Sequence, residues 1–282
     1  MSRVPRLLVW ALAGALVASG CVPGRTVLEV SIEPSALAKP VNAHDFTTHE
    51  SAVRGIAAIM TQELRLPVPD EVTVYVYATR ELFEQGLMRD GGVSRRRAAE
   101  FAAFASGVGK RRQLLINDGA VEVRGRDWLQ LLAHELTHVA QIELARGEGR
   151  YEQWLAEGMA EWVAFAVLER LGIDAVAERR AVARLAMRSH PPVVGRRLDL
   201  RSLGTPRGFP ERHRAEGLQP TYQLAFVMAD YLIEQHGLRT LVTYFRLCGS
   251  GLARDESFRL AFGLTVAEFE VKVLDSLAPP GR

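Results

Sequence analysis

His134-Glu135-Leu136-Thr137-His138 sets two imidazoles and a carboxylate in the HExxH spacing. Around it, Leu131, Leu132, Leu136, Val139, Ala140 and Ile142 give an apolar helical pattern, and neither Gly nor Pro falls between Asp127 and Arg146. On a helix, positions four apart lie one turn apart on nearly the same face. His134 and His138 can then aim two ring nitrogens at one metal ion. Zinc suits such a pair: it takes imidazole nitrogen at about 2.0–2.1 Å, and catalytic sites use three protein ligands and one open position. Glu135, at the edge of the same face, can accept a proton from a water that the metal activates. A motif this short also arises by chance, and the helical context is what separates it from two ordinary helix histidines.

A polar break, Arg146-Gly147-Glu148-Gly149-Arg150, follows that helix, and then comes Trp154-Leu155-Ala156-Glu157-Gly158-Met159-Ala160-Glu161-Trp162. HELTH followed by WLAEGMAEW resembles the gluzincin metallopeptidases, in particular the peptidase MA-like family of bacteria. The resemblance runs from about residue 125 to 277 and implies a thermolysin-like metallopeptidase core. It makes Glu157 the third zinc ligand and gives Glu161 a hydrogen bond to a ligand histidine. It also suggests Tyr222, at the start of a later helix, as a donor to the tetrahedral oxyanion. Chain geometry agrees with the first assignment. The interval between His138 and Glu157 lets the first helix end, turn and send a second helix back to the same point. Gly158 permits close backbone packing there, and Glu161 is one turn beyond Glu157.

The elements that must hold these residues read as α+β. A small N-terminal sheet with helices precedes a mainly helical half, with the zinc site between them. Thr26–Ile32 alternates as a strand, and Glu71–Ala78 (EVTVYVYA) is the clearest strand in the chain. Gln113–Asn117 reads as a second sheet strand just before the HExxH helix, which is expected to be capped near Asp127. A free sheet edge there could pair with an extended peptide. Helices are expected from Thr47 or Thr48 to Leu64, from Thr79 to Met88, from a Ser94 cap through Ala105, and from Asp174 to Met187. Residues 190–218, rich in Pro and Gly, read as the longest irregular stretch and a border of the cleft. Helices then run from Gln219 to His236 and in three short pieces to Leu277. His44 and His49 have no metal-ligand spacing and read as surface or capping residues. His190 and His213 fall in the irregular stretch and read as solvated.

With 282 residues, 48% hydrophobic and 24% charged, the composition is that of an ordinary globular protein. A net charge of +2 argues against a nucleic-acid partner. At the N-terminus, Arg3 and Arg6 precede an apolar run from Leu7 to Ala18, and Val17-Ala18-Ser19-Gly20-Cys21 resembles the lipobox of bacterial lipoproteins. Ala18 stands where that pattern most often has Leu, and plain signal cleavage near Gly20 is the alternative. The expected organisation is a signal peptide over 1–20, a lipid-anchored lead-in over 21–45, and a metallopeptidase domain over 46–278. Cys21 would carry lipid and hold the protein to a bacterial envelope membrane, facing the periplasm or exterior. The other cysteine, Cys248, lies in an apolar helix end and reads as a buried structural thiol. The expected function is zinc-dependent hydrolysis of peptide or protein substrates, with Glu135 as general base. No amine-recognition motif of the aminopeptidase type precedes the zinc helix, which favours an endopeptidase. The alternative is a non-catalytic envelope lipoprotein that uses the zinc-site fold as a binding or assembly module.

Overall fold

The computed structural model describes residues 23–32, 43–120 and 125–278; the expected signal segment and Cys21 lie outside them. The fold is α+β, with a four-stranded sheet in the first half and helices through the second. Strands β1 (Arg25–Ser31), β2 (Glu71–Tyr77), β3 (Gly107–Lys110) and β4 (Gln113–Asn117) are ordered β1-β2-β4-β3. β2 pairs antiparallel with β1 and parallel with β4, and β3 closes the far edge antiparallel to β4.

Alternation along β2 decides what each sheet face covers. Val72, Val74 and Val76 point with Leu114 and Ile116 into the main core. Helices α1 (His49–Gln62) and α4 (Arg126–Ala145) pack on that side. Tyr75, Tyr77 and Leu115 point the other way, onto Phe83, Leu87 and Ala98 of α2 (Arg80–Arg89) and α3 (Arg95–Ala102). α1 begins where its capping residues place it. Thr48 accepts from the Ser51 amide, and the Ser51 side chain accepts from the Thr48 amide.

Three local expectations are corrected. α3 ends at Ala102 rather than Ala105, and the chain turns into β3. Two of the four residues of β3 are glycine, so no apolar alternation marks it. α4 starts at Arg126 with Gly125 as its cap, and Asp127 lies in the first turn, where the helix dipole favours an acid. Residues 190–218 are largely helical rather than irregular. They form α7 (Pro191–Val194), α8 (Leu200–Leu203) and α9 (Gly208–Glu216). Proline in the first turn starts α7, and the Asp199 side chain caps α8.

The helical half is built on α4, α5 (Gln153–Arg170) and α10 (Leu218–His236). Gly158 sets the α5–α10 approach: a Cβ there would lie 2.1 Å from the Ala225 carbonyl oxygen. Asp230 of α10, fully buried, accepts from Trp162 on α5 at 3.2 Å and from Arg180 on α6 (Val176–Met187) at 2.7 and 2.8 Å. α11 (Leu238–Gly249), α12 (Arg254–Phe262) and α13 (Val266–Leu277) finish the core, where Trp154 stacks on Phe269 at 5.3 Å. Cys248 is buried in α11.

The start of α5 is held by its cap residue, Glu152. Its amide donates to the Tyr244 hydroxyl at 2.7 Å, and its carboxylate meets Arg254 at 3.1 Å. The second carboxylate oxygen, Oε2, is buried with no hydrogen bond among the described residues. Burial, opposed by Arg254, pushes the Glu152 carboxyl up to about 7. A carboxyl whose folded value is raised favours folding while protonated. That contribution is complete below the ordinary value of 4.5 and is lost as pH rises toward 7. Between those limits the wild type should lose about 2–3 kcal/mol of stability that Glu152→Gln keeps. Urea unfolding of both proteins across that range measures it, and a flat difference would mean Glu152 stays charged.

Candidate metal centre

Two helices supply the ligand atoms. His134 and His138 project from the middle of α4 and Glu157 from the second turn of α5. The three atoms lie within 4.8 Å of one another. The two imidazole Nε2 atoms are 3.1 Å apart, and Glu157 Oε2 is 3.3 Å from His134 Nε2 and 3.4 Å from His138 Nε2. Two nitrogens and an oxygen pointing at one spot could hold a metal ion.

Each ligand has a partner for its remaining polar atom. Glu161, one turn after Glu157, puts Oε1 3.1 Å from His134 Nδ1, and Gln130 donates to its other oxygen at 3.0 Å. Gln141 Oε1 is 2.9 Å from His138 Nδ1, while its amide donates to the Ala156 carbonyl at 2.9 Å and so ties α4 to α5. Gln153 donates to Glu157 Oε1 at 2.8 Å. Such contacts fix the imidazole orientation and leave Nε2 free for the ion. Gln141 and Gln153 were not singled out by sequence reasoning. The signals were a glutamine inside the apolar run Val139–Ile142 and a polar side chain one turn before a ligand.

The electrostatics are those of a buried charge cluster. Burial opposes the charged form of His134, and the Glu157 and Glu161 carboxylates overcome it, holding the imidazole well above its ordinary value. Burial likewise opposes charge on His138, and Glu157 raises it. For Glu157 burial alone would raise the carboxyl, but His138 and His134 hold it well below the usual carboxylate range.

Glu135 points to the sheet side. Its Oε2 accepts from the Gly109 amide on the edge strand β3 at 2.6 Å. Burial raises its carboxyl, opposed by the two histidines. This contact requires glycine in the strand, because a Cβ on Gly109 would lie 2.2 Å from the Glu135 carbonyl oxygen and 2.9 Å from His138 Cβ.

A cleft of about 1220 Å³ opens over these residues. β3 lines it, as do Tyr222 on α10 and His213 on α9. The Tyr222 ring is 6.0 Å from that of His134. Burial and then Glu157 hold its hydroxyl well above its ordinary value, so it keeps its proton. His213, read as solvated from the sequence, is buried and packs edge-on against Phe104 at 4.6 Å. His190 is also buried, but it pairs with Glu216 at 3.2 Å and does not line the cleft. His49 accepts from Trp128 at 3.1 Å and joins α1 to α4. His44 sits in a short 3-10 turn, Ala43–Asp45.

The family described as the eCIS core domain matches residues 76–146, from the end of β2 to just beyond α4. That domain is metallopeptidase-like in some families. The match takes in His134, Glu135 and His138 and stops short of Glu157. No curated protein and no solved structure matches the chain.

Because Gln141 both orients His138 and bridges to α5, Gln141→Ala should weaken metal binding about 10–100-fold, with the helical content preserved. Competition against a chromogenic chelator reads this, and unchanged affinity would mean Gln141 only joins the two helices.

Proposed function

We propose that the protein is a zinc-dependent peptidase of the gluzincin type. The observation that carries this reading is the meeting of a two-histidine, one-carboxylate set with a buried glutamate on the wall of an open cleft. The spacing suits zinc. Bonds of about 2.0–2.1 Å to tetrahedrally arranged ligands put neighbouring donors about 3.3 Å apart. The three observed separations run from 3.1 to 3.4 Å.

Zinc bound there supplies Lewis acidity, acidifying a water and polarising a carbonyl. The chain's own groups do the rest. Glu135, whose carboxyl burial raises above its ordinary value, takes a proton and returns it to the leaving amine. The Gly109 amide holds that carboxylate against the edge strand. Tyr222, protonated and close to the His134 ring, donates to developing negative charge on the substrate oxygen. An extended polypeptide can lie along β3, whose outer edge faces no other strand among the described residues. The same reading places Glu157 in the ligand role that the MA-like resemblance implies, and Cys21 as the lipid anchor to a bacterial envelope membrane.

Glu135→Gln should keep zinc within a few-fold of the wild type and lose at least about 10³-fold in peptide hydrolysis, the upper range for a missing general base together with its charge. His134→Ala should lose both zinc and hydrolysis. Metal analysis beside a casein or peptide-mixture cleavage assay, with and without chelator, tests this. Full hydrolysis by zinc-loaded Glu135→Gln would sink the mechanism.

A further inference from the structure

A second cavity, of about 410 Å³, opens beside the main cleft between α3 and α9. The exposed arginines Arg96, Arg97, Arg207 and Arg214 line it, together with Phe101 and Phe104. Arg97, Phe101 and Phe104 also line the main cleft, so the two spaces are continuous. We propose that this side cavity is a specificity subsite taking an acidic side chain of the polypeptide substrate between Arg97, Arg207 and Arg214. The proposal rests on the peptidase reading above.

Three observations support it. The first is charge without a partner. Among the described residues Arg97, Arg207 and Arg214 make no ion pair, and Arg96 meets Glu100 only at 3.9 Å. The other arginines bordering the main cleft, Arg126 and Arg179, are both held by Asp174, at 2.5 and 2.7 Å. Two glutamates, Glu100 and Glu211, also line the cavity, so its four arginines leave an excess of positive charge. A guanidinium with free N–H groups matches a carboxylate in a two-pronged hydrogen bond.

The second is aromatic support. Arg97 lies over the Phe101 ring, with Cζ 5.4 Å from the centroid. Contact with the ring restricts the rotamers of Arg97, which lowers the entropy cost of gripping a ligand.

The third is reach. From the metal centre, ring contacts step from His134 to Tyr222 at 6.0 Å, to His213 at 6.1 Å and to Phe104 at 4.6 Å. An extended peptide advances about 3.3 Å per residue, so the cavity is within about five residues of a scissile bond at the metal. A substrate side chain can therefore enter it while the backbone passes the site.

Binding to the full zinc-loaded chain carrying Glu135→Gln separates recognition from turnover. The probes are three fluorescein-labelled peptides of one sequence, with Glu, phosphoserine or Gln at the tested positions, followed by anisotropy. The Glu peptide should bind about tenfold tighter than the Gln peptide, the combined effect of three exposed ion pairs of modest strength. That advantage should shrink as salt is raised. Arg97→Gln/Arg207→Gln/Arg214→Gln should abolish it with the melting transition in place, whereas the matching lysine variants should keep much of it. Equal binding of the Glu and Gln peptides, a preference that survives the glutamine variants, or selection of phosphoserine alone overturns the subsite. So does a triple variant that loses only its attachment to phosphatidylglycerol vesicles, which would make the arginines a headgroup contact.

Cleavage of a peptide mixture by the wild type supplies the second reading. Acidic residues enriched within about five positions of the cut support the proposal, and cuts without that bias overturn it while leaving the peptidase in place. If the wild type makes no cut that Glu135→Gln lacks, the peptidase reading fails. The anisotropy comparison still decides whether the cavity selects acids.

Discussion

Two imidazoles and a carboxylate converge within 4.8 Å at a buried point, and that convergence constrains the rest of the molecule. Bare polar atoms so close together and so shielded from water are costly unless a proton or a metal ion lies between them. The structure meets that cost in two ways. Glu157 carries the negative charge that both histidines need, and its own carboxyl is held low by them. Glu161, Gln141 and Gln153 then satisfy the atoms that face away from the centre. Loss of one outer partner would let a ring turn, and a turned ring no longer points its lone pair at the ion.

Such convergence demands close backbone approach, and glycine supplies it at two places. Gly158 lets α10 press against the helix that carries Glu157. Gly109 lets the edge strand reach the helix that carries Glu135 and His138. In each case the missing side chain would overlap a carbonyl oxygen, so the fit is set by main chain and cannot be relieved by changing a rotamer. One turn further along α5, the bonds from Trp162 and Arg180 to the buried Asp230 brace α5 and α10 and link them to α6. Ligand geometry is thus carried by long, packed helices, while cleft-lining groups such as His213 come from the short helix α9.

What the sequence made legible follows the same division. HExxH and WLAEGMAEW are local patterns on helices of 20 and 18 residues, and both lie in the core where periodicity is strong. β2 and α1 were readable for the same reason, through valine alternation and a threonine at the expected helix start, Thr47 or Thr48. β3 was not, since its edge position and its glycines serve contact with α4 and leave no apolar pattern. α7, α8 and α9 were also missed. They are short and proline-rich or polar, and tertiary packing of Leu198, Leu200, Leu203 and Phe209 into the core defines them more than local propensity does. His213 shows the limit most plainly: nothing near it in sequence predicts burial against Phe104, a residue distant along the chain, as well as contact with Tyr222 of the next helix.

The placement of Glu135 gives the arrangement its chemical asymmetry. Glu157 and Glu135 are both buried carboxyls beside the same two histidines, yet one is held low and the other raised. Direct contact with the imidazole nitrogens accounts for Glu157, whereas Glu135 feels them at longer range and meets only a backbone amide. Burial therefore prevails for Glu135. Divergence of two neighbouring carboxyls is what a hydrolytic site needs, with one fixed as an anion to bind and the other able to exchange a proton. The edge strand contributes to both sides of that balance. Its Gly109 amide stabilises the charged form of Glu135, while its close packing keeps water away and favours the neutral one. Under the proposed peptidase reading, a substrate strand along β3 would exclude more water from the same carboxyl and raise its affinity for a proton.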